Sequence, residues 1–329
     1  MTSPNAPLVS VVIPMRNGEP YIRSTLESVL TQEGCALEVV VVDDGSTDGS
    51  GQAAASMGGG LVRVVPGPCR GIAPSLNAGL AAARGRYVVR CDADDHLSPG
   101  RLARQAAFLD EHPEFAAVCG GFETMSDKGK KLAAMPTGDD PAEITDELRA
   151  GQTRTHFGTF MTRASVLEEL GGARPYFNGV EDMDLQMRIG TDHRVWFEPE
   201  ACYRYRLHGT SSTHVQPSAA REFLTETARV FARQRAAGEP DDLMKGRPPE
   251  PPADDSKTKD GRSDRQGILL GQAWREHGAG NRWSAIRAGW RACWQKPARL
   301  SVWASWCLLF IKTAGKKAGA AGRSGSGSA

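Results

Sequence analysis

The nine residues Tyr87-Val88-Val89-Arg90-Cys91-Asp92-Ala93-Asp94-Asp95 run from a β-branched stretch straight into three acids. On an extended backbone alternate side chains share a face, which puts the carboxylates of Asp92 and Asp94 on one side, about 7 Å apart. Two hard oxygen ligands so placed suit Mg²⁺ or Mn²⁺ held against a diphosphate, with water and phosphate oxygens filling the remaining positions. The competing reading is an acidic turn closing a strand, because Asp-x-Asp alone is common. Two more acidic sets occur. Asp43-Asp44-Gly45-Ser46 follows an apolar run, and its residues are also ordinary turn formers. Glu181-Asp182-Met183-Asp184 opens an amphipathic stretch, where acids also complement the positive end of a helix dipole.

The elements that must position these acids are legible in the first two hundred residues as apolar runs alternating with amphipathic stretches. That is the pattern of an α/β fold built on a mostly parallel sheet flanked by helices. Residues 8–13, 38–42, 63–65 and 86–90 are predicted strands. Residues 21–30 and 75–84 are predicted helices, as is the stretch that Ser98-Pro99 caps and opens. In open α/β sheets ligands lie beyond the carboxyl ends of the strands. Pro14-Met15-Arg16-Asn17, Asp43-Asp44 and Asp92-Ala93-Asp94 all fall at such ends. No Gly-x-Gly-x-x-Gly follows the first strand and no Gly-x-x-x-x-Gly-Lys-Ser/Thr occurs, which disfavours dinucleotide binding and kinase-like chemistry. Gly58-Gly59-Gly60 lacks a strand-to-helix context and reads as a turn.

Those three clusters, in that order, resemble the inverting family 2 glycosyltransferases of the GT-A fold. The resemblance runs from about Ser10 to His214. It is best in Gly71-Ile72-Ala73-Pro74-Ser75-Leu76-Asn77-Ala78-Gly79-Leu80, leading through Ala83-Arg84-Gly85-Arg86-Tyr87 into the acids. It implies a nucleotide-diphosphate sugar donor lying across the strand ends, bordered by Pro14 and Arg16. Asp43 and Asp44 would accept hydrogen bonds from base or ribose, while Gly71 and Asn77 allow close approach and polar contact. Asp92 would meet ribose or metal, and Asp94 would be the principal ligand of Mg²⁺ or Mn²⁺. Asp182 would be the catalytic base, since a hydroxyl acceptor is a weak nucleophile until a carboxylate takes its proton. Glu181 would help bind the acceptor, and Asp184 would serve capping or charge pairing. His156-Phe157-Gly158-Thr159-Phe160-Met161-Thr162-Arg163 is similar to a family strand on the sugar side, with His156 either an acceptor contact or a packed ring. In Tyr203-Arg204-Tyr205-Arg206-Leu207-His208 the resemblance implies Arg206 near the phosphates and His208 in the metal shell, although alternating Tyr and Arg also suits a half-exposed strand. Met183 and Gln186 stand where many relatives carry sugar-stacking aromatics. The donor nucleotide expected from the family is UDP, the acceptor a glycan or a lipid-linked sugar, and the pathway bacterial surface glycan assembly. Two other readings are a nucleotide-sugar sensor or membrane scaffold without activity, and a sugar-phosphate nucleotidyltransferase. The first would predict loss of Asp94 or Asp182, and the second a Gly-rich basic signature that is absent after Leu8.

Composition limits the partners and the compartment. Lys and Arg number 40 against 39 Asp and Glu, so charge gives no reason to expect nucleic acid. Seven scattered cysteines without a Cys-x-x-Cys pair argue against a zinc or redox motif and suit a reducing cytoplasm. The first residues lack the basic and apolar regions of a secretory signal. A catalytic domain is expected over 1–238 and a Pro- and Asp-rich disordered linker over 239–265. A Trp-rich basic helical region would follow over 266–314, then a flexible tail over 315–329. Six of the seven Trp lie in that basic region. Its run Val302–Ile311 is shorter than the roughly 20 residues a membrane span needs. It suits either an interfacial helix on an anionic membrane, at the inner face of the plasma membrane, or a helical pair packing its Trp on the catalytic domain.

Overall fold

The computed structural model describes residues 9–208, 218–252, 261–278, 281–295 and 297–311. They fall into two units, Met1–Lys259 and Asp260–Ala329.

In the first unit, runs of Val and Ile form β1 (Val9–Met15) and β2 (Leu37–Asp43), followed by β3 (Val62–Pro66) and β4 (Tyr87–Arg90). Strand order is β3-β2-β1-β4, all parallel. Side-chain alternation drives the layering. Val11 and Ile13 point toward α1 (Glu19–Leu30) and α4 (Arg101–Glu111), packing with Ile22, Leu26, Leu102 and Leu109. Val12 points the other way, toward Ala73 and Leu76 of α3 (Ile72–Ala82). Gly79 lets α3 sit that close, since a Cβ there would collide with Val12. Each such buried aliphatic side chain contributes about 1.5–3 kcal/mol. A short α2 (Ser50–Ala55) covers the same face as α1.

Beyond β4 the expected parallel sheet becomes mixed. The two-residue β5 (His96–Leu97) lies at the far edge. The long β6 (Phe115–Ser126) carries β7 (Lys131–Ala134) as a hairpin partner, and β8 (Ala142–Glu143) flanks β10 (Arg194–Leu207). β9 (Met161–Arg163) inserts antiparallel between β4 and β6, and β6 pairs parallel with β10. Only 161–163 of the stretch 156–163 is therefore strand, because Phe157–Thr159 makes a 3₁₀ turn first. The short helices α5 (Thr145–Arg149) and α6 (Ala164–Glu169) lead to α7 (Glu181–Asp192) and α8 (Ser218–Ala236).

Residues 239–252 are not a free linker. Asp241 is fully buried and pairs with Arg174 at 2.7 Å and Arg235 at 2.5 Å, and the Tyr176 hydroxyl donates to the Pro249 carbonyl at 2.6 Å. Of the rest of the expected linker, 253–260 lie outside the described residues and 261–265 begin a helix, while the expected tail, 315–329, lies outside the described residues. The second unit comprises α9 (Gly261–Gly278), α10 (Arg282–Gln295) and α11 (Leu300–Ile311) around Ala273, Ala288 and Leu309, with Trp274 and Trp306 packed against them. No helix among the described residues is long and apolar enough to cross a membrane.

Candidate active site

The acids at the end of β4 do different work. Arg90, buried in the last position of the strand, donates from Nε to Asp92 Oδ1 at 2.9 Å and from Nη1 to Glu181 Oε1 at 2.9 Å. Burial pushes the Asp92 carboxyl up, but Arg90 and the nearby His156 outweigh it and hold it below its usual range. Asp94 is more open, and its Oδ2 lies 2.6 Å from His208 Nε2. Asp95, which the sequence reading passed over, is fully buried. It accepts from the Tyr203 hydroxyl and from the Arg206 backbone N–H, each at 2.7 Å, so it clasps the acidic loop to β10. Burial, with Asp94 and Asp92 adding to it, pushes Asp95 well above the usual carboxyl range. Alternation offered one signal for this, since Asp95 lies opposite to Asp92 and Asp94 along an extended chain.

Arg206 is not placed to neutralise a phosphate. Its guanidinium donates to the carbonyls of Asp94 at 2.5 Å and Asp127 at 2.8 Å, reaches His96 Nε2 at 2.8 Å, and lies over the Tyr21 ring. A side chain so engaged fixes the Asp94 loop instead.

At the start of α7 three acids have three fates. Glu181 is buried, with Oε1 on Arg90 and Oε2 accepting from the Gly179 N–H at 2.7 Å. That occupancy argues against its expected contact with an acceptor. Asp184 is fully buried between Arg174 and Arg188 and serves charge pairing. Asp182 is half-buried, and among the described residues no hydrogen bond engages its carboxylate. Burial lowers the His156 pKa more than Asp92 and Asp182 raise it. The His156 ring stacks on Tyr203 at 5.3 Å and its Nδ1 accepts from the Gly158 N–H at 3.0 Å, which leaves the proton on Nε2. The charges of Asp92, Asp182 and Asp94 all reach this ring.

Of the residues expected to border a donor, Pro14 is buried in β1, while Arg16 is exposed just beyond it. Asp43 caps its own turn, accepting from the Ser46 N–H at 2.9 Å. Asp44 is committed to the loop beyond β3, since its two oxygens accept from the Cys69 and Gly71 N–H groups at 2.7 and 3.0 Å. Gly71 has φ +96°, and a Cβ there would strike the Asn178 amide. Asn178 in turn accepts from the Ala73 N–H at 3.1 Å, a link from the start of α3 to the α7 loop that the sequence reading missed. Asn77 is engaged within the protein: its amide exchanges both hydrogen bonds with the Ala173 backbone, at 2.8 and 2.7 Å.

Comparison with known proteins meets this geometry. The sequence model of Glycosyl transferase family 2 matches residues 10–171. A Bacillus subtilis (strain 168) chain named as the glycosyltransferase EpsE is 32% identical over 210 residues, covering 61% of this chain and 74% of that one. The chain belongs to glycosyl transferase family 2. The hyaluronan synthase of Pasteurella multocida is 28% identical over 63% of this chain, although the match spans 21% of that larger protein. The fold of this family 2 glycosyltransferase is similar to that of S. aureus TarS 1-349 in complex with UDP-GlcNAc, with a TM-score of 0.57 at 19% identity. That alignment covers 92% of this chain and 86% of TarS 1-349. It is the GT-A fold.

Within the family 2 site, the residues expected around a divalent ion are unequally engaged. Among the described residues no three His, Cys, Asp or Glu side chains gather as a metal site. Asp94 and His208 face each other and fit Mg²⁺ or Mn²⁺, whose other positions go to water and diphosphate oxygens. Asp92 has Oδ1 held by Arg90 from two nitrogens, so Oδ2 is the oxygen it could turn to a metal or a ribose. The absence of acceptor aromatics after the acidic pair also has a structural counterpart. Met183 packs against the Phe177–Val180–Met187 cluster and Gln186 is 1% exposed, so neither offers a sugar platform.

Proposed function

We propose that this enzyme moves a sugar from a nucleotide-diphosphate sugar to a hydroxyl acceptor with inversion, and that Asp182 is the base. The observation that carries the reading is the contrast along one helical turn. Glu181 and Asp184 are spoken for by arginines, whereas the Asp182 carboxylate has no hydrogen-bond partner among the described residues, and its charge, like those of Asp92 and Asp94, acts on the His156 ring. An acceptor hydroxyl docked there would lose its proton to Asp182 as it attacks the anomeric carbon. Neutral His156, with a proton on Nε2, is able to donate a hydrogen bond toward the sugar or the acceptor. Asp94 and His208 would hold Mg²⁺ or Mn²⁺, which when bound would neutralise the departing diphosphate.

A UDP-sugar is the favoured donor, supported by the nucleotide sugar bound to TarS. Bacterial surface glycan assembly at the cytoplasmic side is supported by the polysaccharide synthase relative and by seven unpaired cysteines. The test is Asp182→Asn, with transfer and donor binding measured separately. Transfer is expected to fall by at least 10²-fold, the lower range for a positioned general base, while stabilisation of the protein by UDP with Mn²⁺ stays as in the wild type. Retained transfer would remove Asp182 as the base.

A further inference from the structure

The near-zero net charge of the chain hides a division. Met1–Lys259 carries 28 Lys and Arg against 36 Asp and Glu, while Asp260–Ala329 carries 12 against 3. From residue 277 onward there are nine basic residues and no acid. The second unit is thus a cationic module on an anionic enzyme.

Its apolar groups are turned outward as well as inward. On α10 the small residues Ala285, Ala288, Gly289 and Ala292 are buried, and a Cβ at Gly289 would collide with Trp306. Trp283, Trp290 and Trp294, spaced seven and four residues apart, share one side of that helix. They are 80%, 43% and 57% exposed. Trp290 and Trp294 meet Trp303 of α11 at 5.7 and 6.2 Å, so the rings form a braced aromatic surface. On α11 Leu300 and Leu308 are also exposed, at 77% and 40%, and Arg282, Arg287 and Arg299 are exposed on the same unit. A monomeric soluble surface seldom gathers this much indole and leucine.

We infer that this unit docks on the surface of an anionic phospholipid bilayer. Indoles prefer the boundary between headgroup and hydrocarbon, basic side chains are drawn to anionic headgroups, and the acid-free stretch removes the opposing repulsion. At 12 residues, α11 reaches about 18 Å, against about 30 Å of hydrocarbon, so it would lie along the interface instead of spanning it. Nucleic acid is the weaker occupant, because exposed Leu300 and Leu308 offer nothing to a phosphodiester. The inference stands apart from the choice of base and donor.

The test is sedimentation of the full-length protein with vesicles of phosphatidylcholine alone or mixed equally with phosphatidylglycerol, at low and high salt. Binding is expected to the mixed vesicles, to weaken with salt, and to be at least about tenfold weaker on phosphatidylcholine alone. Arg282→Gln with Arg287→Gln is expected to lower affinity about fivefold per charge removed. Trp283→Ala with Trp294→Ala, at exposed positions that leave the buried packing intact, is expected to lower affinity at low and high salt alike. Circular dichroism checks that the variants remain folded. Equal binding to both vesicle types, no binding, or loss of neither component in the variants would overturn the inference. So would tight binding of single-stranded RNA or DNA without vesicle binding.

Discussion

Arg90 shows how one side chain can hold two halves of a candidate site. It is buried at 7% exposure and its guanidinium spans the strand-end Asp92 and the helix-start Glu181, groups 89 residues apart. Removing one partner of such a buried set leaves uncompensated charge, which costs about 3–5 kcal/mol. Arg90→Met is therefore expected to lower stability by that amount in urea unfolding. Arg90→Lys is expected to recover only part, because an ammonium cannot fork to two carboxylates. A wild-type unfolding curve for Arg90→Met would remove the bridging role. Burial already pushes the Glu181 carboxyl up against the pull of Arg90, so loss of the guanidinium should also leave it protonated nearer neutrality. At this scale the sequence exposed the acids but not their partners. Asp92, Asp94 and Asp182 stand out as residue types at strand and helix ends. Asn77, Asp44 and Arg206 were legible only as polar residues near a site, because what occupies them comes from 96, 25 and 112 residues away. No local pattern encodes such pairings.

The elements of the first hundred residues were legible because alternation and helical spacing are strong there. The centre of the sheet was not. β6 contains Gly120-Gly121 and β10 contains Pro199, residues that weaken a strand pattern. Tertiary packing explains them: a Cβ at Gly121 would meet the Pro199 carbonyl at 2.6 Å, so glycine admits the irregular register of β10. The segment after α8 was misread for a similar reason, since Pro-rich composition suggests an extended linker while one buried acid anchors it. Burial alone would push the Asp241 carboxyl up, but the Met244 N–H, Arg174 and Arg235 outweigh it and the net shift is downward. A depressed folded-state value contributes stability above the unfolded carboxyl pKa of about 3.9, lost as pH falls through the lower folded value. Asp241→Asn is expected to cost about 3 kcal/mol at pH 7 and to lessen the acid sensitivity of unfolding below pH 4. Equal melting of the variant and the wild type at pH 7 would count against the anchor.

For the whole molecule, the two units differ in charge, in secondary structure and in where their indoles lie. Trp196 is the sole Trp of Met1–Lys259, stacked with Phe108 at 6.1 Å, and the other six belong to the helical unit. The sequence shows a change of composition after Gly238 and a Trp-rich stretch from residue 266, whereas the units divide between Lys259 and Asp260. The clustering also gives the protein a built-in optical reporter. Intrinsic emission comes chiefly from the helical unit, whereas far-ultraviolet dichroism weighs both. After Trp196→Phe, emission should follow the C-terminal helices alone, so a thermal scan read by the two signals should show separate midpoints. Superimposed transitions would mean instead that the two units unfold as one cooperative body. The transferase therefore carries its own label for following its C-terminal helical unit.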